Sequence, residues 1–190
     1  MRRFLRKSSV GGEPLAVTMS GVKPGERVLQ VGLDDAAIAA SIAAKTGMTG
    51  QASLVVADES AAAAARNAVA ESGGLGDVVV VASLHPLPFA DDAYDVVVVH
   101  AARGLLVSLS RDMRERLLAE CRRVLRTGGR LIALDAGTQT GLRSLLGGAR
   151  PDPAYEATGG TTAALEVAGF RPVRLLGDRQ GYRFIEGLKG

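Results

Sequence analysis

The chain has 190 residues, 47% hydrophobic and 23% charged, with a formal net charge of +3. That length fits one domain with a real core, while the small net charge, the lack of tryptophan and 4% aromatics offer no strong signal for nucleic-acid binding. The single cysteine, Cys121, excludes an internal disulfide and a cysteine-rich metal centre and points to a reducing, cytoplasmic setting; no apolar run reaches the roughly 18 residues of a membrane span.

Residues 1–22 read as an irregular lead-in. Arg2, Arg3, Arg6 and Lys7 flank Phe4 and Leu5 without the apolar stretch of a secretory signal, and Gly11, Gly12 and Pro14 argue against a regular element. Lys23-Pro24-Gly25-Glu26 is a turn signal. A first strand starts at Val28, a tight turn falls at Gly32, and an alanine-rich helix runs to about Thr46, capped by Asp34 or Asp35. Gln51 to Asp58 is a second strand, followed by a helix from Ala61 to about Ser72 with Ser60 as its cap. Asp77 to Ser83 and Tyr94 to Val99 are continuous apolar runs, which predict strands buried on both faces. Between them His85-Pro86-Leu87-Pro88-Phe89 is an extended loop, since residues before proline avoid the helical region.

The strongest helix spans Arg111 to Arg126, with Met113, Leu117, Leu118, Cys121, Val124 and Leu125 on one face and Ser110 as cap. Thr127-Gly128-Gly129 stops it, and Arg130 to Ala136 is a fifth strand. Residues 137–157 hold no firm element beyond a short helix near Leu142–Leu146. A helix from about Thr161 to Ala168 precedes a closing hairpin of Arg171 to Leu176 and Tyr182 to Gly187, turned at Asp178-Arg179-Gln180-Gly181. The alternation predicts a doubly wound α/β fold with a mostly parallel sheet and an antiparallel C-terminal hairpin.

Four segments, RVLQVG with its helix, VVADES, LPFADDAYDVVVVH and ECRRVLRTGGRLIALD, resemble the class I S-adenosylmethionine-dependent methyltransferases, in particular the small-molecule group that includes the ubiquinone/menaquinone-biosynthesis enzymes. The resemblance spans roughly residues 24–188. It implies a seven-stranded sheet with the final strand inserted antiparallel, and one methyltransferase-like domain over residues 23–190. It further implies S-adenosylmethionine as cofactor, lying across the carboxyl ends of the first strands. Gln30, Gly32 and Asp34 would frame its methionine end, Asp58 followed by Glu59 would hold the ribose, Ser83 and Leu84 would flank the adenine, and His100 would lie near the sulfonium. Asp34 and Asp35 would repel a dinucleotide's pyrophosphate, and the G-x-G-x-x-G fingerprint is missing, so a nicotinamide enzyme ranks low.

The glycine loop departs from the family. Gln30 stands where an acid is usual, Asp34 and Ala36 replace two glycines, and Ser83 replaces the aspartate facing the adenine amine. Two readings therefore stand: methyl transfer to a small, apolar or quinone-like acceptor, and a non-catalytic binding or assembly subunit of the same fold. With little chain ahead of the first strand, a protein partner, a second subunit or the substrate would complete an open site, and residues 137–157, with Arg143, Arg150 and Tyr155, are a second cover.

Single residues admit plainer roles. Asp58 also suits a helix cap, Asp34 and Asp35 likewise, and His100 a hydrogen-bonded place at the core edge. His85 suits a loop residue held by its backbone, and Cys121 a small core residue. The two histidines and one cysteine are not at metal-ligand spacing. No nucleophile–base pair is identifiable, which methyl transfer, relying on proximity and alignment, does not require.

Overall fold

The computed structural model describes residues 13–72, 76–137 and 152–190. A seven-stranded sheet is ordered β3-β2-β1-β4-β5-β7-β6, built from β1 (Arg27–Val31), β2 (Gln51–Val56), β3 (Asp77–Val80), β4 (Tyr94–Ala101), β5 (Leu125–Ala136), β6 (Val173–Arg179) and β7 (Tyr182–Leu188). The first five run parallel to one another, and β7 lies antiparallel between β5 and β6. The seven helices are α1 (Leu15–Met19), α2 (Ala36–Lys45), α3 (Glu59–Ser72), α4 (Leu105–Ser108), α5 (Arg111–Val124), α6 (Pro153–Ala157) and α7 (Gly160–Val167) among the described residues. None of them is long and apolar enough to cross a membrane.

The alternation of side chains along a strand explains the apolar run of β4. Val97 and Val99 join Leu117, Leu118 and Cys121 of α5 in one buried cluster. Val96 and Val98 join Ile42 of α2 and Ala16 and Val17 of α1 in another. Both faces of the central strand are thus covered, as a parallel sheet requires.

The elements expected from sequence form, with several corrections. Asp35, not Asp34, caps α2, accepting from the N–H groups of Ala37 and Ile38. Asp58 rather than Ser60 caps α3, through the N–H of Ala61. β3 ends at Val80 and is only partly buried, with Val80 exposed. Its apolar run covers a sheet edge, where only one neighbouring strand lies beside it. α5 stops at Val124, because Leu125 is already extended and pairs with Tyr94 in β5. The glycines at 128 and 129 therefore sit in an irregular stretch of β5, with a register shift between Tyr94 and Val96. Within the lead-in expected to be irregular, Leu15–Met19 forms one helical turn with Ala16 and Val17 buried; five residues are too short to display helical periodicity. The β6–β7 turn is Gln180-Gly181, both with positive φ (56° and 81°), the backbone of a type I′ hairpin. The helix expected near Leu142–Leu146 lies outside the described residues.

The two blocks LPFADDAYD and ECRRVL are physically joined. Arg123 donates to the carbonyls of Leu87 (3.1 Å) and Phe89 (2.8 Å) and to the Asp91 carboxylate (2.6 Å). Glu120, itself paired with Arg123, accepts the Leu87 N–H at 2.8 Å. A loop that cannot form a ladder of its own has its backbone groups satisfied by two charged side chains from α5.

Candidate functional site

The carboxyl ends of β1, β2 and β4 open onto a cleft of about 230 Å³, whose walls include Gly32, Asp34, Asp58, Leu84, His100 and Arg103. Open α/β sheets hold ligands at this edge because the crossovers leave a crevice there. Of the residues expected from sequence, Gly32, Asp34, Asp58, Leu84 and His100 are gathered here.

Gln30, Glu59 and Ser83 are not among the residues lining the cleft. Gln30 is buried behind it, donating from Nε2 to the Ala39 carbonyl (2.9 Å). Glu59 is engaged by Arg66 at 2.5 Å on the exposed side of α3. The Ser83 hydroxyl accepts the His85 N–H within its own loop. His85 does not line the cleft either; its Nε2 meets the Met113 sulfur at 3.1 Å.

The orientation of Gln30 fixes the state of His100. With Gln30 Nε2 spent on Ala39, its Oε1 faces His100 Nε2 at 2.8 Å. An amide oxygen only accepts, so His100 Nε2 carries the proton and Nδ1 the lone pair. Nδ1 has no hydrogen-bond partner, and no fully buried side-chain nitrogen or oxygen lacks one, among the described residues. Nδ1 is therefore the edge of the ring that reaches the cleft. Burial lowers the imidazole pKa to about 4, against a smaller opposing effect of Asp35, so the ring is neutral at neutral pH.

Asp34 ties the first loop to the loop after β4. Its carboxylate accepts the N–H groups of Ala102 (2.7 Å) and Arg103 (3.0 Å). Burial raises its pKa, and the two N–H groups counter part of that rise. Gly32 has φ +76°, and a Cβ there would lie 2.7 Å from Leu105 Cδ2. A side chain at position 32 would therefore meet Leu105 at this end of the cleft. Asp58 accepts from the Ser60 hydroxyl (2.7 Å) and the Ala61 N–H (2.8 Å), both on Oδ1, and these bonds lower its pKa.

A second cleft, of about 370 Å³, shares Arg103 and Gly104 with the first and is bounded by Ala101, Val107, Asp135 and Tyr155. Sequence reasoning missed Asp135, Thr161 and Arg103. The signal for Asp135 was present, since it stands near the carboxyl end of β5 as His100 does in β4. Among the described residues no group of three or more His, Cys, Asp or Glu side chains could hold a metal ion.

Comparisons with known proteins bear on this arrangement. Residues 29–133, more than half the chain, match the methyltransferase domain family. The ubiquinone/menaquinone biosynthesis C-methyltransferase UbiE of Teredinibacter turnerae is 34% identical over 120 residues, 63% of this chain and 46% of that protein. The chain thus spans about half the length of the curated relatives it matches. A SAM-dependent methyltransferase from Aquifex aeolicus superposes with a TM-score of 0.63 at 22% identity, over 90% of this chain and 86% of its own. PigF with SAH does so with a TM-score of 0.60 at 19% identity, over 86% and 50%; at such identities the likeness is one of fold. With the glycine turn, the strand-end acid and the LPF loop all inside the matched segment, the chain belongs to the methyltransferase domain family.

Proposed function

We propose that this chain transfers a methyl group from S-adenosylmethionine to a small-molecule acceptor, acting as a single domain that takes in α1 as well as residues 23–190. The observation that carries the reading is the first cleft itself, which in a chain of this family collects Gly32, Asp34, Asp58, Leu84 and His100 at the carboxyl ends of β1, β2 and β4. The names of the relatives and structural neighbours support the same activity.

The residues fit the cofactor chemically. Asp58 uses one carboxylate oxygen to cap α3, and the other oxygen suits the ribose hydroxyls. Leu84 gives the adenine an apolar wall. Asp34 retains lone pairs beyond its two N–H partners and would attract the methionine ammonium and the sulfonium, while His100 Nδ1 would offer a further acceptor to the ammonium. Bound S-adenosylmethionine supplies an activated methyl carbon, so the chain's own task is to hold and align the two reactants.

Titration calorimetry with S-adenosylmethionine and S-adenosylhomocysteine tests this. Binding is expected, and no heat at millimolar ligand refutes the reading. Asp58→Asn keeps the helix cap, because asparagine caps as well as aspartate, yet it should weaken binding measurably through loss of the charged acceptor. Unchanged affinity would remove Asp58 from the ribose site.

A cytoplasmic setting, supported by the lone buried cysteine, belongs to the same proposal. So does a partner or second copy at the open rim. Sedimentation of the free chain checks the latter: a monomer that binds S-adenosylhomocysteine needs no second copy.

A further inference from the structure

Gln30 of β1 and His100 of β4 stand side by side on the α2 face of the sheet, the face of Val28 and Val98. Each is 1% exposed. The Gln30 amide is used at both ends: Nε2 donates to the Ala39 carbonyl of α2 at 2.9 Å, and Oε1 accepts from His100 Nε2 at 2.8 Å. One hydrogen-bond chain therefore runs from the backbone of α2 to the ring edge in the first cleft.

The chain has only one sense. Turned over, the amide would set its oxygen against the Ala39 carbonyl, acceptor against acceptor. The backbone of α2 thus dictates the tautomer of a histidine in another element. The outcome is a nearly wholly buried side chain whose remaining polar atom, Nδ1, is a lone pair directed into the first cleft. A buried acceptor of that kind calls for a donor.

Few charges surround the ring. Asp35 caps α2, and Asp34 accepts the N–H groups of Ala102 and Arg103. Asp58 and Arg103 line the same cleft. The helix α1 carries no charge, and α2 carries only Lys45, at its far end and paired with Glu13. Asp135, opposite Ala101 on β5, faces α7 instead, where it accepts from Thr161, whose hydroxyl also meets that of Tyr155. An acid at position 30, the usual residue of the family, would draw a proton onto the imidazole from the Nε2 side. The cleft edge of the ring would then change from an acceptor to a positively charged donor.

We propose that Gln30 is a positioning residue that holds His100 with its lone pair on Nδ1, and that the two together replace the acid usual at position 30 in recognising the amino group of the cofactor's methionine end. This rests on the methyl-transfer reading above. The departure of the glycine loop at Gln30 is matched by His100, and the two act as one. What the pair selects is an N–H donor, and it does so without a charge of its own that titrates near neutral pH, since burial holds the ring pKa at about 4.

The chain has two histidines, His85 and His100, so labelling with 15N-histidine gives two sets of ring signals in NMR, which a His85→Gln variant assigns. The free wild-type ring of His100 is expected to carry its proton on Nε2, and S-adenosylhomocysteine to shift the Nδ1 signal as that nitrogen accepts a hydrogen bond. 4-(5′-Adenosylthio)butanoic acid, the same molecule without the amino group, should leave Nδ1 in place and bind about tenfold or more weakly by calorimetry, the scale of a hydrogen bond to a charged group. Gln30→Leu should release the tautomer and shrink that preference. Gln30→Glu should lose affinity on acidification more steeply than the wild type, by up to about tenfold per pH unit, the limit for one linked proton. Asp34 titrates in both proteins and drops out of the comparison. A free ring protonated on Nδ1, an Nδ1 signal unmoved by S-adenosylhomocysteine, or parallel pH dependence in the wild type and Gln30→Glu would overturn the inference. The first two use the wild-type chain, so they decide even if a variant fails to fold. Heat of binding with an unmoved Nδ1 signal refutes this inference alone, and no heat refutes the methyl-transfer reading.

Discussion

Acidification tests the neutral, buried state assigned to His100. Its pKa falls from 6.5 to about 4 on burial, a gap of about 2.5 pH units worth up to about 3 kcal/mol. Between those values the unfolded chain holds a proton that the folded chain refuses, so this contribution to stability rises with pH and is lost on acidification. Integrated from about pH 7 to about pH 5, it removes about 2 kcal/mol. Asp34 and Asp135 act in the opposite sense, because burial raises their pKa values and the fold keeps their protons to higher pH. Comparison with His100→Asn cancels the shared carboxyl effects and leaves the imidazole alone. Urea denaturation at the two pH values is the assay. With a slope of about 2 kcal/mol/M, the wild-type midpoint should fall by about 1 M more than that of the variant. Parallel pH dependence in the two proteins would refute a neutral His100 held by Gln30.

Three further outcomes follow from the geometry. Gly32→Ala should cost about 1–3 kcal/mol by thermal or urea unfolding, since it combines φ +76° with a Cβ 2.7 Å from Leu105 Cδ2; a variant as stable as the wild type would show that this turn and Leu105 do not constrain each other. Arg123→Ala should destabilise by about 2–4 kcal/mol, because it leaves the carbonyls of Leu87 and Phe89 and the Glu120 carboxylate without their shared partner. Arg111→Ala, which removes an exposed pair with Glu115, should leave stability nearly unchanged, and equal effects of the two would refute the bracing role of Arg123. Cys121 is buried with its thiol pKa pushed up to about 12, so Ellman's reagent should react only as the protein unfolds; prompt labelling of the native chain would contradict its packing.

The paired blocks show why the fold was legible in one dimension. Glu120 and Arg123 reach from α5 to brace the loop at Leu87 and Phe89, so the two segments form one mechanical unit and their joint presence in the sequence signals the whole architecture. The site was legible only in part. Gly32, Asp58 and His100 lie where strands end, and that position follows from chain order once the sheet is inferred. The corrections share another origin. Gln30 points into the fold toward Ala39 and His100, and Asp34 bonds to backbone groups 68 and 69 positions away.

By itself, then, the sequence determined the strands and the longer helices, the doubly wound plan and the sheet edge that carries the cleft, because side-chain periodicity and turn chemistry are local properties of a chain, whereas the short helices α1, α4 and α6 went unread. Only the tertiary structure decided that β3 is a half-exposed edge, that Gln30 sets the tautomer of His100, and that Asp135, Thr161 and Tyr155 join in one array. Periodicity identifies the face a residue occupies, whereas the crossovers decide what stands opposite it, and a hydrogen bond acquires its direction only when both partners are in place.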